Sequence, residues 1–140
     1  MPPLRLVLDT NLLVSAALNR KGLPRRVFFH ATSKSAHLYV TRPILDEYAE
    51  VLMRTELDVK PTVRERMIQL VGNHSHLVVS SHRLQVSRDP SDNKFLECAD
   101  AARADYLITG NLKHFPSVWK KTRIVSAREF LGLVAPHLDS

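Results

Sequence analysis

Four polar residues, widely separated along the chain, have side chains of the type that binds a divalent cation: Asp9, Glu47, Asp92 and Asn111. Carboxylate and amide oxygens are the ligands that hard divalent cations prefer. A cation held by such ligands can activate a bound water and neutralise negative charge that develops during a reaction. Whether this chemistry is available depends on whether the elements around these residues bring them together.

Asp9 follows an uninterrupted apolar run, residues 6–8, which is typical of a strand covered on both faces in a parallel sheet. Thr10 and Asn11 come next and favour the start of a helix. Asp9 is therefore predicted at the carboxyl end of a buried strand, where open α/β sheets bind their ligands. The alternative is that Asp9 merely caps the following helix.

Glu47 lies on a helix that Thr41 is predicted to cap, with Pro43 in its first turn. It comes three residues after Ile44 and four before Val51, so it lies along the apolar face of that helix. Burying an acid there is costly unless a metal or a basic group compensates its charge.

Asp92 ends an Asp-Pro-Ser-Asp turn that leads into an amphipathic helix. It stands one turn ahead of Phe95 and Leu96, along the stripe that is predicted to face inward. Cys98, in the same helix, is interpreted as a small buried residue and not as a nucleophile.

Asn111 follows a predicted strand, residues 106–108, after Thr109 and Gly110. Strands alternate with helices along the chain, which indicates a parallel sheet with helices on both faces. On that architecture Asp9 and Asn111 lie at carboxyl ends of strands, and the helices of Glu47 and Asp92 can flank the same edge. A divalent metal explains this convergence better than four independent structural roles, and we expect one domain over residues 1–140.

The 20 Lys and Arg against 14 Asp and Glu give a formal charge of +6, which fits a nucleic-acid partner without proving one. The single cysteine excludes an internal disulfide and a cysteine-rich zinc site. No apolar run is long enough to span a membrane and no signal peptide is recognisable. These features predict a soluble, cytoplasmic protein.

Basic residues cluster near a predicted turn, where they form either a solvated helix end or a rim that contacts phosphates. The cluster comprises Arg20, Lys21, Arg25 and Arg26. Three histidines lack the spacing of a zinc site and are interpreted as turn or surface residues. They are His74, His76 and His82.

The chain resembles the PIN-domain family of metal-dependent ribonucleases, and within it the VapC-like toxins of toxin–antitoxin systems. Each motif alone is weakly specific, but their order and spacing extend over nearly the whole chain. The matching segments are residues 7–11, 47–52, 89–97 and 104–111. The resemblance implies a three-layer αβα sandwich around a central parallel β-sheet, with Mg²⁺ or Mn²⁺ in an acidic pocket.

Carried over by motif, Asp9, Glu47 and Asp92 match the three constant acids of the family. Asn111 falls where many members carry a fourth Asp, and an amide brings neither charge nor a general base. Glu97 is a candidate for the missing charge, although a solvated helix residue is the preferred interpretation.

The resemblance implies that Asp9 and Asp92 bind metal and that Glu47 binds a second metal or orients the attacking water. Asn111 would be a ligand or position a water. Supporting hydrogen bonds are expected from Thr10, Asn11 and Thr109. Lys113 and His114, like the basic cluster, are candidates to hold the RNA backbone through its phosphates.

The predicted function is an endoribonuclease, the toxin of a toxin–antitoxin pair, with RNA, an antitoxin protein and a second copy of the chain as possible partners. The first alternative is a catalytically weak or inactive PIN fold that binds RNA or protein. A haloacid-dehalogenase-like phosphatase is disfavoured because it needs a second Asp at the position of Asn11.

Overall fold

The computed structural model describes residues 2–80 and 90–138, apart from the side chains of Pro90 and residues 135–138. His82 and Asp89 therefore lie outside the described residues. The strands are β1 (Leu4–Leu8), β2 (Ala36–Val40), β3 (Ser75–Leu77), β4 (Tyr106–Ile108), β5 (Val118–Trp119) and β6 (Thr122–Val125). The α-helices are α1 (Thr10–Leu18), α2 (Leu23–Ala31), α3 (Arg42–Leu52), α4 (Pro61–His74), α5 (Asn93–Ala102) and α6 (Ala127–Leu138).

The strands form one sheet in the order β3-β2-β1-β4-β6-β5. All neighbouring pairs are parallel except β5 and β6, which form an antiparallel edge. Leu6 of β1 lies opposite Leu38 of β2 and Tyr106 of β4, so β1 sits inside the sheet with a partner on each side. This arrangement places the carboxyl ends of β1 and β4 next to each other.

Helices cover both faces of the sheet, as the αβα prediction requires. In β1, Leu6, Val7 and Leu8 are all fully buried, although their side chains alternate between the two faces. Helix α5 packs against β1, β2 and β4, while α2 and α6 pack against β2 and β4 and against each other. The fold is therefore a mixed α/β sandwich around a mostly parallel sheet.

Several local predictions are confirmed and some are wrong in detail. Thr41 caps α3, accepting a hydrogen bond from the N–H of Ile44 at 3.5 Å. The sequence predicts that Gly72 and Asn73 end their helix, but the helical hydrogen bonds of α4 continue to His74. The apolar residues 77–79 predict a strand, whereas β3 lies two residues earlier, at Ser75–Leu77.

The antiparallel strand β5 was not predicted, because two residues carry no readable periodicity. Within the described part of the chain, no helix combines the length and apolar character needed to cross a lipid bilayer.

Candidate active site

Asp9 continues directly from β1 and lies at the sheet edge where β1 and β4 end. Its backbone N–H donates to the carbonyl of Ile108 at 3.0 Å, which extends the pairing between the two strands. Asp9 also occupies the N-cap position of α1, yet its side chain makes no capping hydrogen bond to the helix residues described. The carboxylate instead accepts a hydrogen bond at 2.7 Å from the hydroxyl of Thr109, which follows β4. The Asp9 carboxylate therefore joins α1 to the segment after β4, and the backbone N–H of Asn11 in the first turn of α1 also favours its charged form.

Asp9 is 4% exposed, and burial raises the pKa of its carboxyl group from 3.8 to about 6. The charges of Asp92 and Glu47 raise this pKa further, while the Thr109 hydroxyl and the N–H of Asn11 act in the opposite direction. Like charges perturb one another in this way only at short range. Three acids from distant parts of the sequence are thus brought together electrostatically, and burial of Asp9 is the largest cause of the shift.

Glu47 reaches the same edge from α3, and both of its carboxylate oxygens have partners. The Thr10 hydroxyl donates a very short hydrogen bond to Oε2, and the Lys94 ammonium lies 2.9 Å from Oε1. The neighbouring Tyr48 hydroxyl donates to the carbonyl of Leu8, the last residue of β1. Complete burial raises the Tyr48 pKa well above 10, so the hydroxyl remains a donor and ties α3 to the strand end.

Asp92 lies in the short 3₁₀ turn Pro90–Asp92 that leads into α5. Its Oδ2 lies 2.9 Å from Nδ1 of His114, which comes from the short 3₁₀ turn Leu112–His114 after β4. The amide nitrogen of Asn111 lies 3.2 Å from Nδ1 of the same imidazole. His114 therefore connects Asp92 to Asn111.

Thr10, Asn11 and Thr109, from which supporting hydrogen bonds are expected, all make side-chain hydrogen bonds at this edge. Besides the bonds of Thr10 and Thr109 already described, the Asn11 side chain accepts a hydrogen bond at 3.0 Å from the backbone N–H of Gly110. The N–H of Asn111 donates to the Thr109 hydroxyl at 2.9 Å. The start of α1 and the loop after β4 are thus joined at several points.

The donor set suits a hard divalent cation, because it consists of carboxylate oxygens whose mutual repulsion a cation would relieve. In the portions of the chain that the structure describes, however, no three acidic, histidine or cysteine side chains form a ready-made metal cluster. The carboxylates of Asp9, Glu47 and Asp92 are held by a hydroxyl, an ammonium and an imidazole. A cation that binds to these carboxylates would compete with the hydroxyl, ammonium and imidazole for the same oxygen atoms.

Arg25 has a structural role within the predicted basic cluster. Its guanidinium donates to the carbonyls of Ala16 and Ala17 at 2.7 and 3.1 Å, which satisfies the carboxyl end of α1. Arg20, Lys21 and Arg26 are exposed, as is Lys113. His74 and His76 are exposed, as predicted, and Glu97 is half-buried on α5. The Cys98 thiol is fully buried, which raises its pKa to about 12 and makes it inert.

Sequence reasoning gave no role to Lys94 and placed His114 only among possible phosphate contacts. The contact of Lys94 with Glu47 joins α5 to α3, and that of His114 with Asp92 spans 22 residues. One signal was available for Lys94: an acid on the buried face of α3 requires a compensating charge, and Lys94 is the basic residue in the motif that carries Asp92.

Comparison with known proteins gives two matches. A family model described as the PIN domain matches residues 5–113, well over half of the chain. The chain is also 26% identical over 111 residues to the uncharacterized protein MJ1680 of Methanocaldococcus jannaschii, covering 77% of this chain and 71% of that protein. The segment that the family model matches includes Asp9, Glu47, Asp92 and Asn111.

Proposed function

Because this chain belongs to the PIN-domain family, we propose that it is a metal-dependent endoribonuclease that hydrolyses RNA phosphodiester bonds. PIN domains are generally nucleases that bind nucleic acid, and they typically use divalent metal ions. The choice of RNA, the dependence on Mg²⁺ or Mn²⁺ and the residues that act belong to the proposal.

The observation that carries the proposal is the electrostatic coupling of Asp9 with Glu47 and Asp92. An acid held at a pKa of about 6 by burial and by two neighbouring carboxylates is destabilised in its charged form at neutral pH. A structural acid would gain a basic partner, whereas a metal ligand gains its compensation when the cation binds. Strongly perturbed carboxyl groups at a sheet edge are candidates for function on these grounds.

In the proposed mechanism Asp9 and Asp92 would hold the cation. A bound divalent ion would supply a nucleophilic water near neutral pH and offset the negative charge that develops on the reacting phosphate. The Thr109 hydroxyl fixes the orientation of the Asp9 carboxylate. Glu47, which accepts a hydrogen bond from Thr10, would orient the attacking water. Asn111, whose amide nitrogen lies next to the His114 imidazole, would be an uncharged ligand or would position a water.

The RNA strand would be bound through its phosphates, which a basic surface attracts without reading sequence. The net charge of +6 supports this. Among the exposed cations, Lys113 lies two residues from Asn111, which makes it the best placed to contact a strand at the site. Arg20, Lys21 and Arg26 lie beyond the far end of α1 and would contact a longer substrate.

The proposed biological role is that of a cytoplasmic toxin in a toxin–antitoxin pair, with an antitoxin protein and a second copy of the chain as partners. The support for this role is the resemblance of the motifs to VapC-like toxins. An antitoxin would be expected to block access to the edge that carries Asp9.

A second candidate function is a PIN fold that binds RNA or a protein without cleaving it. Two observations favour it: Asn111 carries no charge where many family members have an acid, and Lys94 already neutralises Glu47. Both reduce the negative charge available to hold cations.

The test is cleavage of a broad panel of RNAs by the purified protein with Mn²⁺, with Mg²⁺ and with EDTA, beside an Asp9→Asn variant. Cleavage that requires metal and disappears in the variant supports the nuclease. A folded wild-type protein that binds the RNAs but cuts none of them, with metal present, supports the binding module. Cleavage that survives in Asp9→Asn would point to a contaminating nuclease and would contradict the proposed site.

A further inference from the structure

The ion pair of Lys94 with Glu47 places a fixed positive charge inside the proposed active site. The Lys94 ammonium lies 2.9 Å from Oε1 of Glu47, and its side chain is only 18% exposed. It also donates a very short hydrogen bond to the carbonyl of Ser91, in the turn that carries Asp92. The ammonium thus links the elements that supply two of the three acids.

This geometry leaves Glu47 poorly suited to bind a cation itself. The Thr10 hydroxyl donates to one carboxylate oxygen and the Lys94 ammonium pairs with the other, so a divalent cation bound to Glu47 would lie close to a positive charge. A divalent cation bound beside Glu47 would also repel the partly buried ammonium of Lys94. The position beside Glu47 is already occupied by a cation that belongs to the protein.

The charges of the site agree with this interpretation. Counting only the carboxylates of Asp9, Glu47 and Asp92 and the ammonium of Lys94, one divalent cation brings the site to neutrality. A second would leave it strongly positive. Asn111 contributes no further negative charge to offset a second ion.

We propose that Lys94 takes the place of a second divalent cation, so that the site binds one metal ion and Lys94 contacts the phosphate at the site of cleavage. An ammonium has three N–H donors, and the contacts described here use two of them, to Glu47 and to the Ser91 carbonyl. The other contact given for this ammonium within the described part of the chain is with the Phe95 ring, whose centroid lies 5.1 Å away, so the third N–H can donate to a phosphate oxygen. Glu47 then holds Lys94 in position, and Lys94 neutralises charge that the second metal would neutralise in a two-metal nuclease. This inference rests on the proposed nuclease function.

The experiment counts Mn²⁺ ions bound per chain by isothermal titration calorimetry in the full-length wild-type protein and in Lys94→Gln, Lys94→Arg and Lys120→Gln. Lys120 is the matched control because its ammonium also forms a 2.9 Å ion pair, with Asp100. We expect one Mn²⁺ in the wild type, Lys94→Arg and Lys120→Gln. We expect a second Mn²⁺ to bind in Lys94→Gln, because that change frees a Glu47 oxygen and removes a positive charge.

RNA cleavage provides a second measurement. Lys94→Gln should lower kcat by about 100-fold at Mn²⁺ concentrations that fill only the first site, as expected when one preorganised donor to the phosphate is lost. Lys120→Gln should cleave like the wild type. Circular dichroism and urea unfolding establish that each variant is folded, and Lys94→Met serves as a second neutral variant if Lys94→Gln does not fold.

Two wild-type Mn²⁺ ions would overturn the inference, as would a single ion in both wild type and the neutral variants. Either result leaves the nuclease proposal intact if RNA is still cleaved. The opposite outcome is also informative. If the wild type binds one Mn²⁺ and Lys94→Gln binds two, but the wild type cuts no RNA, the single-cation site is supported and the nuclease proposal is contradicted.

Discussion

Aspartates at the two edges of the parallel sheet differ in burial and in the partners of their carboxylates. At the carboxyl edge, Asp9 is buried, and its carboxylate accepts from a neutral hydroxyl while two other acids lie near it. At the amino edge, Asp105 precedes β4, and its side chain is about one-third exposed. It accepts a 2.8 Å hydrogen bond from the backbone N–H of Arg5 and lies 3.5 Å from the ammonium of Lys121.

Other polar groups at the amino edge also have partners, as Asp105 does. Asp100 pairs with Lys120 at 2.9 Å, and the buried Thr122 hydroxyl donates to the carbonyl of Ala104 at 2.7 Å. Each acid there has a donor or a cation of its own. Among the described residues, acids occur at both edges, but Asp9 at the carboxyl edge is buried near two other acids and has a hydroxyl as its side-chain partner. The charge of Asp9, which no cation offsets within the described residues, distinguishes the candidate site from the structural edge.

The largest expected difference between the edges is in catalysis. Asp9→Asn should reduce RNA cleavage by about 10³-fold or more, because it removes a charged ligand from the site. Asp105→Asn should leave cleavage within about threefold of wild type and lower the free energy of unfolding by about 1 kcal/mol, through a weakened hydrogen bond. Cleavage rates and urea unfolding of both variants measure this, and equal losses of activity would remove the distinction.

The pH dependence of stability should also differ between the edges. Because the folded-state pKa of Asp9 is raised from 3.8 to about 6, the folded protein binds this proton more tightly than the unfolded chain. Stability from this group is fully present below about pH 4 and is lost as the pH rises to about 6. Without metal, Asp9→Asn should therefore be more stable than wild type at pH 7, by at most about 3 kcal/mol.

Urea unfolding in EDTA between pH 4 and pH 8 measures this effect, with Asp105→Asn as the reference. The gain in Asp9→Asn should shrink toward pH 4. A gain that is the same at pH 4 and pH 7 would show that the charge of Asp9 is not destabilising.

The two buried threonines sharpen the comparison further. Thr109 is 0% exposed and Thr122 is 1% exposed, and each donates one side-chain hydrogen bond at 2.7 Å. Replacing either with valine should cost about 1–3 kcal/mol of stability, because it leaves a buried acceptor unpaired. Thr109→Val should also lower cleavage by about 10- to 100-fold through the misaligned Asp9 carboxylate. Thr122→Val should not, and cleavage assays at a temperature where both variants are folded distinguish them.

The smallest effect is expected from Tyr48→Phe, which removes the hydroxyl that binds the Leu8 carbonyl. The loss should be about 1 kcal/mol in unfolding free energy, since one buried hydrogen bond is removed and the ring remains. Cleavage should fall less than in Thr109→Val, because the hydroxyl orients α3 and no carboxylate directly. A larger loss of activity than in Thr109→Val would mean that the placement of α3 matters more than the orientation of Asp9.

Much of the fold could be predicted from the sequence, because its signals are local. The apolar run before Asp9, the Thr41 cap and the alternation of strands with helices each depend on neighbouring residues, and they identify a parallel sheet. The family model confirms the PIN resemblance that the motifs indicated. Strand β5 was not predicted, because its pairing with β6, and not its composition, makes it a strand.

The candidate site could be predicted less completely. The burial of Asp9 follows from its position after β1, and the supporting roles of Thr10, Asn11 and Thr109 were expected from their place beside it. The contacts of Lys94 and His114 were not, since side-chain reach across elements leaves no periodic trace. Metal binding by Asp9, Glu47, Asp92 and Asn111 stays a prediction.

The central position of β1 also affects how the protein is made. Asp9 is synthesised 100 residues before its hydrogen-bond partner Thr109, and β1 before β4, the strand that pairs with it on that side. A ribosome therefore exposes Asp9, Glu47 and Asp92 before the strand that orders their edge has emerged. If the chain has the proposed ribonuclease activity, its site cannot assemble until the strand that pairs with β1 has left the exit tunnel. The long-range pairing of β1 thus postpones completion of this edge until residues 106–109 have been synthesised.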